Sequence, residues 1–254
     1  MSAILGVIPA RLGSERLPRK PLHILAGRPL IEWVWQRTRS LPGLDAVVVA
    51  TDSEEVVEVC REAGADAVMT AESHGSGTER VAEVMAMPDF DGYDMVVNVQ
   101  GDEPFVTGDQ VMGAVGAVRE GWDIGTVAAP VMTREAWTDP SVVKVVRNGS
   151  GGALYFSRAS IPHMRGREPT ASELASASCL RHIGVYAYSR TALNRWVSAS
   201  PSELERLERL EQLRALDAGL RIGVAVVDHV EGGIDTPEDA RRAERRLREE
   251  RGTN

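Results

Sequence analysis

Ile4-Leu5-Gly6-Val7-Ile8-Pro9-Ala10-Arg11-Leu12-Gly13-Ser14-Glu15-Arg16-Leu17-Pro18-Arg19-Lys20-Pro21-Leu22 is the stretch on which the fold turns. The apolar run Ile4–Ile8 stops at Pro9, as a strand buried on both faces does. A polar, proline-marked loop then runs to Pro21. Beyond it Leu30, Trp33, Val34 and Leu41 recur at helical spacing, with Pro29 suited to a first helical turn. Strand, loop and helix in that order open a βαβ unit.

The pattern repeats. Val47–Ala50 reads as a second strand, and Asp52 as the start of a helix with Glu55 in capping-box position. Val56, Val59, Cys60 and Ala63 form that helix's apolar stripe, and Gly64 ends it. Ala67–Met69, Thr78–Met85 and Met95–Val99 follow as strand, helix and strand. Short loops between such elements imply right-handed crossovers and a mostly parallel sheet. The expected fold is therefore α/β, three-layer and Rossmann-like, a single domain over residues 1–254. From Val142 the rhythm changes: Val142–Val146 and Ala153–Phe156 read as close strands, Arg165–Ser178 as a polar stretch, and His182–Tyr188 as an alternating strand. This 140–200 segment reads as an inserted lobe suited to self-association. A helix Leu204–Ala218, a stop at Gly219, a strand Ile222–Val227 and a helix after Pro237 complete the chain.

The 254 residues are 43% hydrophobic and 26% charged, with net charge −8, which excludes disordered, collagen-like and coiled-coil classes. No apolar run approaches the roughly 20 residues of a membrane-spanning helix. The chain opens straight into an apolar run without a basic leader, so no signal peptide is expected. Cys60 and Cys179 stand in neither CxxC nor zinc spacing and read as reduced thiols of a cytoplasmic protein. The acidic charge argues against affinity for nucleic acid or an anionic membrane. Between Met1 and Leu30, however, Arg11, Arg16, Arg19, Lys20 and Arg28 face one acid, Glu15. Two readings fit: a compact anionic ligand such as a nucleotide, or a solvated charged loop.

In open parallel sheets ligands bind beyond the carboxyl ends of the strands, which selects Pro9–Pro21, Thr51–Asp52 and Gln100–Pro104. The first loop is neither GxGxxG nor GxxxxGK[ST], yet its small residues let backbone N–H groups approach phosphate, and Arg11, Arg16 and Lys20 supply charge. Of 29 Lys plus Arg residues only two are lysines, Lys20 and Lys144. A compact ammonium in an arginine-rich chain marks positions where a point charge is wanted. Asp102, after the strand Met95–Val99, suits Mg²⁺ or merely a turn before Pro104. Asp235 does no capping work, unlike Thr236, Pro237 and Asp239, and is a candidate second carboxylate. Glu211 falls inside the leucine stripe of the 204–218 helix, either meeting a ligand inward or facing solvent. His182 and Tyr186 share one strand face; a lone strand histidine is commonly structural.

The motifs IPARLGSERLPRKPL (Ile8–Leu22), SGTER (Ser76–Arg80), NVQGDEP (Asn98–Pro104), VKVV (Val143–Val146), ALYFSRASIP (Ala153–Pro162), LRHIGVYAYS (Leu180–Ser189), LEQLR (Leu210–Arg214) and GGIDTPED (Gly232–Asp239) occur in order. Together they resemble the 3-deoxy-manno-octulosonate cytidylyltransferases, the CMP-Kdo synthetases of lipopolysaccharide assembly. The resemblance implies a GT-A-like nucleotidyltransferase fold and the reaction CTP + Kdo → CMP-Kdo + pyrophosphate. It implies that Arg11, Arg16 and Lys20 clamp the triphosphate, and that Pro9, Ala10, Ser76 and Gly77 lie where cytosine is read. Ser14, Asp52 and Gln100 complete the nucleotide set. Asp102 and Asp235 correspond to Mg²⁺ carboxylates, making Arg11, Lys20, Asp102 and Asp235 the catalytic group. Arg80, Gln100, Arg158, His182, Tyr186, Glu211 and Gln212 correspond to the Kdo pocket. The family is a cytoplasmic homodimer. Two departures stand out: Arg19 where glycine is frequent, and His163-Met164-Arg165-Gly166 where an aromatic and an acid are frequent. An 8-amino-Kdo or sialic acid acceptor, a CTP-binding regulator without turnover, or a glycosyltransferase of similar fold are the alternatives.

Overall fold

The computed structural model describes residues 3–14, 16–228 and 231–252; Glu15, the one acid of the basic loop, lies outside them. The chain forms two compact units, Met1–Gly108 with Glu231–Asn254, and Asp109–Val230. Each has its own strands and its own share of the functional residues.

The first unit begins with β1 (Ile4–Ala10), a short ribbon of β2 (Ile24–Leu25) and β3 (Arg28–Pro29), and α1 (Leu30–Arg39). It continues through β4 (Ala46–Thr51), α2 (Glu54–Glu62), β5 (Asp66–Met69), α3 (Gly77–Ala86) and β6 (Met95–Asn98). Strands run in the order β6-β1-β4-β5, all parallel. Five consecutive residues of β1 are buried, as the continuous apolar run requires of a strand covered on both faces. Two boundaries differ from expectation. β1 runs through Pro9 to Ala10 because its ladder with β6 has ended at Val7↔Asn98, so the missing N–H breaks no bond on that side. Helix α2 is capped by Ser53, whose side chain accepts from the Val56 N–H, rather than by Asp52. Asp52 is engaged elsewhere, as described below.

The second unit comprises α4 (Gly108–Arg119), β7 (Ile124–Pro130), α5 (Arg134–Thr138), β8 (Lys144–Arg147), β9 (Ala153–Ser157) and α6 (Ala171–Leu174). After these come β10 (Leu180–Ser189), α7 (Arg190–Ser198), α8 (Glu203–Glu208), α9 (Gln212–Asp217) and β11 (Ile222–Val226). β7 lies between β11, parallel to it, and β10, antiparallel; β8 joins β10 and forms a hairpin with β9. The polar stretch expected from Arg165 holds α6, whose Leu174 joins Val131, Trp137 and Cys179 in a satellite core. Met164, from the His163–Gly166 segment, packs against this core. Both cysteines are free and buried.

The helix expected over Leu204–Ala218 is two helices. Arg209 adopts a left-handed conformation (φ 53°) that ends α8 and redirects the chain. The break lets Leu210 turn inward while Leu204 and Leu207 remain exposed, so the leucine spacing does not mark one buried stripe. β7 had no counterpart in the sequence reading, because Gly125, Ala128 and Ala129 give it little β-propensity. Its glycine has a steric cause: a Cβ at Gly125 would lie 1.9 Å from the Ala114 carbonyl oxygen of α4. The chain then returns to the first unit with α10 (Pro237–Gly252), capped by the expected Thr236/Asp239 box. Among the described residues no helix is long and apolar enough to cross a membrane.

Since helix backbone cannot retreat from β7 without disturbing both elements, Gly125→Ala is expected to destabilise the protein by at least about 2 kcal/mol. Urea denaturation followed by circular dichroism measures it.

Candidate active site

The first strand-end loop leads into a 3-10 turn, Lys20–Leu22, and that turn aims Lys20 at two carboxylates. Its Nζ donates to Asp102 Oδ2 at 2.6 Å and to Asp235 Oδ1 at 2.8 Å. Arg16 adds a contact of 3.1 Å to Asp235 Oδ2. Residues separated by more than 200 positions in sequence thus share one electrostatic cluster. The Lys20 side chain is only 17% exposed. Burial alone would lower its pKa, but the charges and hydrogen bonds of Asp102 and Asp235 outweigh that and raise it, so the ammonium stays charged.

Backbone contacts hold the carboxylates in place. The Ile234 N–H donates to the Asp102 carbonyl at 2.9 Å, tying the loop after β6 to the loop before α10. The turn at Gly101 lies so close to the end of β1 that a Cβ there would sit 2.6 Å from the Pro9 carbonyl oxygen. Arg19, which precedes Lys20, has φ 56°. This is a left-handed conformation that glycine adopts freely and that a side-chain-bearing residue rarely takes. The Arg19 guanidinium pairs with Glu55 rather than with the cluster. Arg11 is exposed and unpaired among the described residues, and Ser14 is partly exposed in the same loop.

Two carboxylates converging on one cation suit Mg²⁺, which takes one or two carboxylates and fills its shell with water and phosphate oxygens. Among the described residues no cluster of three or more His, Cys, Asp or Glu side chains offers a self-sufficient metal cage. Asp102 and Asp235 supply two carboxylates, the number Mg²⁺ takes from a protein and fewer ligands than a structural zinc site needs.

Asp52 and Arg80 form a second cluster in this unit. Arg80 is 2% exposed. Its Nη2 donates to Asp52 Oδ2 at 2.8 Å and its Nη1 to Thr70 Oγ1, while Asp52 Oδ1 accepts the Leu12 N–H at 3.2 Å. The pair thereby pins the loop after β1 to α3. Ser76 caps α3, and Gly77, which opens it, faces Pro9: a Cβ there would lie 3.2 Å from Pro9 Cγ and 3.7 Å from Gln100 Oε1. Pro9, Gly77 and Gln100 are thus brought together, with Ala10 buried beneath. Three residues of this neighbourhood were not singled out in sequence. Glu79 accepts the Gly75 N–H, Glu83 accepts the Ala71 N–H and contacts His74, and the buried Asn98 accepts from Gln100 Nε2 at 3.3 Å. A polar residue closing the apolar run of β6 was the available signal for Asn98.

The second unit gathers His182, Tyr186, Glu211 and Gln212. β10 has a bulge between Ile183 and Tyr186. In a regular strand residues four apart are about 13 Å distant, but the bulge brings the His182 and Tyr186 rings to 5.3 Å. Alternation alone put them on one face; the bulge puts them in contact. Thr126 Oγ1 lies 2.9 Å from His182 Nε2, and it donates toward the carbonyls of Val185 at 2.9 Å and Ile183 at 3.3 Å. Burial, with Phe156 edge-on at 5.1 Å, lowers the His182 pKa to about 3. Burial also raises the Tyr186 pKa well above its usual value, with the charge of Glu211 contributing. Gln212 is buried at the start of α9, directly after Glu211. Arg158 is committed to carbonyl oxygens of Glu208, Arg209 and Pro140.

A parallel sheet whose first loop delivers cations and whose later strand ends deliver carboxylates defines a nucleotide-handling α/β protein. The cytidylyltransferase family profile matches residues 5–222. The chain is 52% identical to 3-deoxy-manno-octulosonate cytidylyltransferase of Gemmatimonas aurantiaca over 94% of its length and 92% of that protein. To the protein of the same name from Syntrophotalea carbinolica it is 44% identical, over 97% and 99%. The solved structure of CMP:2-keto-3-deoxy-manno-octonic acid synthetase complexed with CTP superposes with TM-score 0.88 and 36% identity, covering 98% of this chain and all of that one. A 4-diphosphocytidyl-2C-methyl-D-erythritol synthase from Anaerococcus prevotii shares the fold at TM-score 0.63 and 14% identity. The chain belongs to the 3-deoxy-manno-octulosonate cytidylyltransferase branch of the cytidylyltransferases.

Because the folded chain protonates His182 only near pH 3 while the unfolded chain does so near its ordinary value, stability falls as pH drops from about 6.5. Thermal melts between pH 7 and 4 are expected to show this slope, and His182→Asn to flatten it.

Proposed function

We propose that this protein transfers the cytidylyl group of CTP to Kdo, releasing pyrophosphate. The observation that carries the reading is the Lys20 ammonium held between Asp102 and Asp235, at the end of the loop after β1. In the reaction a bond forms between the sugar's anomeric oxygen and the α-phosphorus. The α–β phosphoanhydride bond breaks, pyrophosphate leaves, and the hydroxyl proton is lost. No covalent enzyme intermediate is needed, so the residues act by placement and by charge.

Lys20 and Arg16 balance the charges of Asp102 and Asp235. A triphosphate brings several further negative charges, which the exposed Arg11 is available to meet. Asp102 and Asp235 would hold Mg²⁺, which when bound supplies charge neutralisation at the phosphates. Pro9, Gly77 and Gln100 form the floor of the base-reading segment, with Ser76 and Ala10 beside it. The Arg80–Asp52 pair keeps the loop backbone at Leu12 in place, where its small residues approach phosphate. On the second unit, neutral His182 and protonated Tyr186 offer uncharged polar groups suited to sugar hydroxyls, and Glu211 and Gln212 offer an acceptor and an amide.

The relatives' reaction uses soluble metabolites and a reduced-thiol chain suits the cytoplasm, where we place the protein. We further propose a homodimer joined through the surface of β9 and α8. Leu154, Leu204 and Leu207 are exposed there, Leu207 at 73%, on elements joined by the Ser157–Glu208 hydrogen bond. Sedimentation is expected to give a dimer, and Leu207→Glu a monomer; a wild-type monomer refutes this.

Lys20→Ala and Asp235→Asn are each expected to lower kcat by at least about 10²-fold, the scale for losing a preorganised charge at a transferring phosphoryl group. Pyrophosphate release with CTP, UTP and ATP against Kdo, 8-amino-Kdo and neuraminic acid tests the substrate pair. Turnover only with CTP and Kdo is expected. Turnover confined to another sugar acid moves the acceptor, and CTP binding without any pyrophosphate indicates a regulator.

A further inference from the structure

Lys144 is the second of the chain's two lysines, and the reaction just described does not use it. It is 0% exposed. Its Nζ donates to three backbone carbonyls: Asp139 at 2.9 Å, Val142 at 2.6 Å and Arg158 at 2.7 Å. Three donors meeting three converging carbonyls is the geometry of an ammonium and not of a planar guanidinium. This accounts for a lysine here in a chain that otherwise writes its bases as arginine.

The carbonyl of Arg158 is one end of a longer chain of contacts. The Glu208 carboxylate accepts from the Arg158 N–H at 3.0 Å, from Ser157 Oγ at 2.6 Å and from the Tyr155 hydroxyl at 3.4 Å. In return the Arg158 side chain donates from Nε to the Glu208 carbonyl at 2.8 Å, from Nη2 to the Arg209 carbonyl at 3.4 Å, and from Nη1 to the Pro140 carbonyl at 3.0 Å. Two of those carbonyls belong to the C-terminal end of α8, where a helix has acceptors without intrahelical partners. None of the residues of α8 itself, Glu203–Glu208, is buried within the protomer, so inside one chain no apolar stripe anchors the helix. The Glu208–Arg158 clasp does so, together with the Glu205–Arg214 ion pair to α9. Only Arg209 and Leu210 separate Glu208 from Glu211 and Gln212.

We propose that Lys144, Arg158 and Glu208 form a positioning relay that fixes the Glu211–Gln212 turn, and through it the affinity for the sugar acid. This rests on the sugar-binding assignment of that turn made above. None of the three is a catalytic residue in this proposal.

Glu208→Gln and Lys144→Arg test it, with Gln212→Ala as the control for the sugar assignment. In Glu208→Gln the KM for Kdo is expected to rise about tenfold, the worth of a charge-assisted hydrogen bond. The KM for CTP is expected to stay within about twofold. Amide exchange over residues 209–217 is expected to accelerate in both relay variants. Equal changes in both KM values, or unaltered exchange over 209–217, overturn the relay. If exchange accelerates while Gln212→Ala leaves the KM for Kdo unchanged, the relay stands as a structural device and the sugar assignment falls instead. Should Lys144→Arg fail to fold, Glu208→Gln, whose side chain is partly exposed, carries the same comparison.

Discussion

One ammonium between two carboxylates organises the first unit. Lys20, Asp102 and Asp235 come from the loop after β1, the loop after β6 and the approach to α10. Each is placed by backbone: the 3-10 turn behind a left-handed Arg19, the tight passage of Gly101 over Pro9, and the hydrogen bond from Ile234 to Asp102. Remove the convergence and the loop's remaining arginines become ordinary solvated charges. With it, the strand ends gather two cations and two carboxylates into one cluster.

The second unit works by different means. Two of its polar groups are kept uncharged by burial: His182 neutral through a depressed pKa, Tyr186 protonated through a raised one. The contrast between the two clusters follows from dielectric environment. Half-exposed loops at strand ends tolerate a dense set of charges, whereas a bulged strand packed against aromatic rings does not.

Much of this was legible in the residues. Apolar runs of strand length alternating with helical periods led to the parallel α/β fold, because burial of one face or both leaves a period that survives in sequence. The capping box at Thr236 and Asp239 and the stop at Gly64 were readable because they are local chemistry. Other features were not local. Asp52 looked like a helix cap until Arg80, 28 residues away, was seen to hold it. The leucines of 204–218 suggested a single stripe, but the left-handed Arg209 breaks it and the Glu208–Arg158 contacts hold the pieces. β7 was hidden because its glycine and alanines answer to the proximity of α4 and not to strand propensity.

The sequence by itself determined the class of fold, the basic character of the first loop, the candidate carboxylates and the family to which their motifs point. These are properties of residue type and spacing. The tertiary structure decided which charges meet, which arginines are already occupied, and which of two lysines faces a site and which is sealed inside. Those outcomes depend on contacts between residues up to 215 positions apart, and only the folded chain brings such residues within the few ångströms over which hydrogen bonds and ion pairs act.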